Sequence, residues 1–121
     1  MTTPRFSIVT PVYETPAPVL RAMLRSVRRQ TFGDWELCLV DDASTAPHVA
    51  ALLERARRRD PRIKVRRREA NGGIFAASND ALAMARGEFV ALLDHDDKLH
   101  PEALELVAAA LPLRRLRERK G

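Results

Sequence analysis

The chain has a single cysteine among its 121 residues, which excludes an internal disulfide and fits a reducing compartment. Cys38 sits inside an apolar run and reads as a small buried hydrophobe. No apolar stretch approaches the length of a bilayer-spanning helix, and Met1 to Arg5 leads into a strand-like run with no signal-peptide core. A soluble, cytoplasmic protein is the expectation. Glycine-rich phosphate loops are also missing: neither the Walker-type nor the dinucleotide fingerprint occurs, and Asn71-Gly72-Gly73 is too little to be either. There is no internal repeat and no low-complexity linker. What is present, 45% hydrophobic residues in a chain of this length, suits one domain with a real core.

The net charge of +5 raises the question of a polyanionic partner, so its location matters. Arg114, Arg115, Arg117, Arg119 and Lys120 against Glu118 give the last eleven residues +4 and leave +1 for everything before them. The division is therefore a near-neutral domain over residues 5–111 and a basic tail over 112–121. No nucleic acid is expected as a partner. A tail running from Arg114 to Lys120 would suit peripheral contact with the inner face of a membrane.

Periodicity sets out the elements. Phe6 to Tyr13 is β-rich, with Pro11 tolerated where the strand ends. Thr15-Pro16-Ala17-Pro18 starts a helix carrying Val19, Leu20, Met23, Leu24 and Val27 at helical spacing, while Arg21, Arg25, Arg28 and Arg29 read as a solvated face. Trp35 to Val40 is a second strand, and Pro47 to Arg59 a helix stopped by Asp60-Pro61. Ile63 and Val65 alternate with Lys64 and Arg66, predicting a short edge strand. A helix follows the glycine turn through about Arg86, with Ile74, Ala77, Ala81, Leu82 and Ala85 inward and Gly87 as its C-terminal cap. Phe89 to Leu93 reads as a strand buried on both faces. Pro101 opens a last helix carrying Leu104, Val107, Ala108 and Leu111. Strict β-α alternation predicts an α/β fold: a mostly parallel sheet, helices on both faces, and all strand carboxyl ends opening on one crevice.

Three polar clusters fall after strands: Pro11-Val12-Tyr13-Glu14, Asp41-Asp42-Ala43-Ser44 and Asp94-His95-Asp96-Asp97. An aromatic such as Tyr13 can stack on a base, and Asp41 or Asp42 can accept hydrogen bonds from a base or from ribose. Three carboxylates at one strand end are costly without a counter-ion, and hard oxygen donors suit Mg²⁺ or Mn²⁺ bridging two phosphates. The plainer reading of the last cluster, an acidic turn capping the next helix, stands beside the metal reading on local sequence alone.

These features, in order, resemble the N-terminal half of family 2 glycosyltransferases with the GT-A fold, and most of all bacterial enzymes that build surface polysaccharides. The matching stretches are Thr10-Pro11-Val12-Tyr13, Ser26 to Phe32 before Trp35-Glu36-Leu37, Val40 to Ser44, Asn71-Gly72-Gly73 through Asn79, Gly87 to Val90, and the DXD-type Asp94-His95-Asp96. The resemblance implies a Rossmann-like nucleotide-binding half and binding of a UDP-, dTDP- or GDP-sugar for inverting transfer to a glycan or lipid-linked acceptor. It implies that Pro11, Tyr13 and Glu14 line the base and ribose, and that Asp42, with Asp41 beside it, binds the same part. It further implies that Asp94 contacts ribose or metal and that Asp96 is the main ligand of Mg²⁺ or Mn²⁺. His95 and Asp97 would support the ligands or cap a helix. Ser78 stands where many relatives carry arginine. In the family the acceptor site and general base follow the acidic segment, so an incomplete, donor-binding half is the expectation. The competing reading is a non-catalytic nucleotide- or metal-binding α/β module, receiver-like or interactive, against which the first strand's Pro11-Val12-Tyr13 ending speaks.

Overall fold

A computed structural model describes residues 3–111; the basic tail, with the membrane contact expected of it, lies outside the described residues. The elements in order are β1 (Phe6–Val12), α1 (Ala17–Arg28), β2 (Trp35–Asp41), α2 (Pro47–Arg59), β3 (Ile63–Arg67), α3 (Ile74–Met84), β4 (Phe89–Leu92) and α4 (Ala103–Ala110). The strands form one parallel sheet in the order β3-β2-β1-β4. Reversal of strand order at β1 makes its carboxyl end the switch point, where an open α/β sheet leaves a crevice.

The two faces of the sheet are covered unequally. Phe6, Ile8 and Val12 of β1 and Trp35, Leu37 and Leu39 of β2 share a core with Leu20, Met23, Leu24 and Val27 of α1, Val49, Leu52 and Leu53 of α2, and Leu104 of α4. Each such side chain taken from water contributes about 1.5–3 kcal/mol. On the other face Val9, Cys38 and Val40 meet Ala77 and Ala81 of α3, with Met84 and Ala85 partly buried beside them. Cys38 is fully buried there, and burial pushes its thiol up to about 11, so it packs as an inert hydrophobe.

Four local expectations are corrected. β4 is an edge strand and is not buried on both faces: Leu92 is 79% exposed and Val90 half exposed, because α3 lies over β1 and β2. Ile74 and Leu82 of α3 are exposed for the same reason. Val107 of α4 is also exposed, and only Leu104 of that helix is fully inward. Gly87 does not cap α3, whose last turn ends at Ala85; a Cβ at Gly87 would stand 2.6 Å from Ser7 Oγ and 2.8 Å from Ser7 N, so glycine is there to let the chain graze β1. The edge position of β3 agrees with its charged alternation.

Candidate functional site

The carboxyl ends of β1, β2 and β4 and the turn before α3 enclose a cleft of about 340 Å³ lined by Pro11, Tyr13, Asp42, Asn71, Gly73 and His95 among others. The loops that follow β1 and β2, next to lining residues Tyr13 and Asp42, each carry one residue in the left-handed region. Glu14 has φ 49° and Ala43 φ 61°, each costing on the order of 1–2 kcal/mol in a residue with a Cβ. Strain of this kind persists where surrounding bonds over-determine it. Here the bonds are visible: Glu14 N donates to Ser44 Oγ at 2.8 Å, and the Glu14 carboxylate accepts from Thr45 N and Oγ1 and from Ala46 N. Those Thr45 and Ala46 donors hold the Glu14 carboxyl below its ordinary value. Glu14 thus ties the β1 loop to the start of α2, and it is not among the cleft's lining residues.

The two adjacent aspartates divide between the two sides of the sheet, as alternation along a strand demands. Asp41 is buried against α2 and β3, with one oxygen accepting from Ser44 N at 3.0 Å and the other from Arg67 at 2.7 Å. Asp42 turns to the cleft, where its oxygens accept Gly72 N at 2.9 Å and Gly73 N at 2.8 Å. Arg68 Nε lies 3.1 Å from the same carboxylate and the guanidinium also pairs with Asp80 of α3 at 2.5 Å. The Asn71-Gly72-Gly73 turn is therefore a cleft wall fixed by Asp42. Gly73, at φ 90°, supplies the conformation that starts α3.

Tyr13 is 46% exposed at the cleft's mouth, a ring with a free face. His95 enters from the β4 side, hydrogen-bonded through Nδ1 to the hydroxyl of buried Thr15, whose carbonyl accepts from His48 Nε2 at 2.6 Å. Around His95, Asp94, Asp96 and Asp97 are exposed, each with one carboxylate oxygen within 4.8 Å of the others. Asp97 N donates to Asp94 O at 3.1 Å and folds the turn back on itself. Hard carboxylate oxygens open to solvent are the donor type that Mg²⁺ or Mn²⁺ takes, and Asp94, Asp96 and Asp97 are the residues that could hold such an ion. Asp94 also lines an adjoining groove with Phe75, Ser78 and Leu92.

The structure therefore brings Pro11, Tyr13, Asp42 and His95 into one cleft, with the acidic residues on either side of His95, and leaves Glu14 in a supporting loop and Asp41 at the end of β2 beneath one. Some contributors escaped sequence reasoning. Ser26 Oγ accepts from Leu99 N at 3.1 Å, and Gln30 donates to His100 O at 2.7 Å while accepting from Leu104 N at 3.1 Å. These two side chains, one on α1 and one just beyond its end, anchor the segment that follows the acidic turn. Their only sequence signal was membership of the Ser26 to Phe32 stretch. His100 Nδ1 accepts the Glu102 N–H at the start of α4, whereas Asp97 caps no helix there.

Comparison with known proteins agrees with this geometry. Residues 7–112 match the family model described as glycosyl transferase family 2. The O-antigen biosynthesis protein RfbC of Myxococcus xanthus is 46% identical over 107 residues, covering 88% of this chain and 8% of that protein. The crystal structure of S. aureus TarS 1-349 in complex with UDP-GlcNAc superposes with a TM-score of 0.82 at 34% identity, over 88% of this chain and 31% of the other. The mannosyltransferase PcManGT of Pyrobaculum calidifontis, in complex with GDP-Man and Mn²⁺, gives 0.74 at 27% identity, over 92% and 33%. The chain thus spans about a third of the solved structures and under a tenth of RfbC.

Proposed function

This chain belongs to glycosyl transferase family 2, and from that premise we propose that its cleft binds a nucleoside-diphosphate sugar through a divalent cation, as the donor-binding part of an inverting glycosyltransferase. The single observation carrying the proposal is that His95 shares the cleft of Tyr13 and Asp42 while the carboxylates of its sequence neighbours Asp94, Asp96 and Asp97 lie within 4.8 Å of one another. A base-stacking aromatic and a diphosphate-type cation site thereby adjoin one cavity.

Tyr13 offers its exposed ring to the base. Pro11 and the Gly73 backbone shape the wall beneath it. A carboxylate has about four acceptor sites, and the Gly72 and Gly73 amides occupy two of them, leaving Asp42 capacity to accept from base or ribose beside the Arg68 ion pair. Asp41 and Glu14 act on the donor indirectly, by fixing the loops that carry Ser44 and Tyr13. Asp96 is the principal cation ligand, with Asp94 and Asp97 beside it. A bound Mg²⁺ or Mn²⁺ supplies Lewis-acid neutralisation of the leaving diphosphate. His95 is held in one orientation by Thr15, keeping the flanking carboxylates turned to the cleft margin. Deprotonating an acceptor hydroxyl requires a base, and we assign that role to none of these carboxylates. Turnover, with a glycan or lipid-linked acceptor in polysaccharide synthesis, is proposed to need the remaining two-thirds seen in the solved relatives, and a cytoplasmic setting follows from the reading of Cys38 as a reduced thiol.

Calorimetric titration with UDP, dTDP and GDP, with and without Mn²⁺, tests this. Manganese-dependent binding of one nucleotide, lost in Asp96→Ala, is expected. A folded chain that binds none of the three, or binds equally well without metal and in Asp96→Ala, rejects the proposal in favour of a non-catalytic α/β module.

A further inference from the structure

The near-neutral balance of the domain conceals a segregation of charge. Helices α1 and α2, with Arg29 after α1, carry a net +7, and the remainder of the chain through residue 110 carries −6. The two helices pack side by side on one face of the sheet. Arg21, Arg25 and Arg28 of α1 and Arg55 and Arg59 of α2 line a shallow cleft between them, floored by Leu24, Leu52 and Ala56. All five arginines are exposed. Among the described residues, Arg21, Arg25, Arg55 and Arg59 have no carboxylate partner; Glu54 is taken by Arg57 and Arg58, and Asp60 by Arg62. Cations in a last helical turn are favoured by the helix dipole, which accounts for Arg28 and Arg59 but not for mid-helix Arg21 and Arg55.

We propose that this α1–α2 face is a docking surface for an anionic lipid bilayer. Charge complementarity is the first argument: adjacent unpaired arginines gain little from the protein itself and much from a negative surface within a Debye length. The second is what the face lacks. Protein interfaces combine Arg with buried aromatic anchors such as Trp and Tyr, and neither α1 nor α2 holds Trp, Tyr or Phe or exposes a large apolar side chain. The third is orientation. In a parallel sheet the crossover helices run antiparallel to the strands, so the arginine-rich last turns of α1 and α2 lie at the amino edge. Asp94, Asp96 and Asp97 lie at the carboxyl edge. A negative surface attracts the first and repels the second, so docking leaves the cleft facing water.

Co-sedimentation of the full chain with phosphatidylcholine vesicles, with and without one-third phosphatidylglycerol, tests the proposal. Two charge-matched variants are compared: R21Q/R25Q/R55Q/R59Q on the face, and R114Q/R115Q/R117Q/R119Q in the tail. Expected is binding only to the anionic vesicles, weakened by salt, and lowered roughly tenfold or more in the face variant while the tail variant retains it. Circular dichroism verifies folding, and nucleotide titration of the face variant should be unchanged, separating this surface from the cleft. Loss in the tail variant with the face variant unaffected, salt-insensitive binding, or no binding to anionic vesicles overturns it. So does binding of poly-glutamate or an oligonucleotide in the absence of vesicle binding.

Discussion

Asp42 Oδ2 accepts the backbone N–H of Gly73 at 2.8 Å, and this bond joins the end of β2 to the last residue of the turn before α3. With the neighbouring bond from Gly72 and the Arg68 contact it makes one carboxylate the keystone of a cleft wall.

Replacing Asp42 with alanine is expected to lower stability by about 1–3 kcal/mol, since two amides lose their acceptor and the Arg68 guanidinium one of its carboxylate partners. Nucleotide affinity should fall by more than the stability loss alone explains, because the wall moves while most chains remain folded. Urea denaturation and calorimetry on the same samples separate the two effects. Unchanged affinity in a folded Asp42→Ala protein would contradict the keystone role.

Gly87→Ala should destabilise by about 1–3 kcal/mol through overpacking. Its new Cβ would meet Ser7 Oγ, Ser7 N and the Phe6 carbonyl carbon at 2.6, 2.8 and 2.9 Å. Two of these are backbone atoms of the central strand and cannot rotate away. Urea midpoints measure the loss, and a midpoint equal to wild type would show that β1 yields at no cost.

Glu36 gives a pH signature. Burial alone would raise its carboxyl, but Lys64 at 2.7 Å, Ser7 and the Arg86 amide outweigh it and hold the group below its ordinary value of 4.5. A depressed folded-state value contributes stability that is present in full above the unfolded value and is lost as pH falls through the folded one. Glu36→Gln is expected to cost about 1–3 kcal/mol at neutral pH, the ion-pair share being discounted for the partly exposed Lys64. The difference from wild type should shrink below pH 4.5. Glu14 and Asp60 titrate with the same sign, so the wild-type-minus-variant difference, measured by thermal melts across acid pH, isolates Glu36.

Much of this molecule was legible in the sequence because local signals and global topology agree. Proline at Pro47 and Asp60-Pro61 fixed both ends of α2, and β-α alternation fixed the parallel sheet. Misreadings fall where burial depends on a neighbour distant in the chain. The apolar run at β4 reads as fully buried, yet strand order puts it at an edge beyond the reach of α3. Gly87 reads as a helix cap since its tight approach to Ser7 spans 80 residues. At the site, residue types announced carboxylate chemistry, but not which carboxylates serve the loops: the sequence neighbours Asp41 and Asp42 differ only in which side of the strand they leave. The anchoring of the segment after the acidic turn by Ser26 and Gln30 was invisible for the same reason.

The edge position of β4 carries a dynamic consequence. Its register, Phe6↔Phe89 through Val9↔Leu92, joins the two ends of the domain across one side only, and this long loop closes before any pairing repays its lost entropy. The acidic turn hangs from the last and least-shared hydrogen bonds of the sheet, so amide exchange should be fastest there and slowest in β1 and β2. An ion or diphosphate seated between Asp94 and Asp97 would slow exchange in β4 first, making isotope uptake at this strand a gauge of site occupancy.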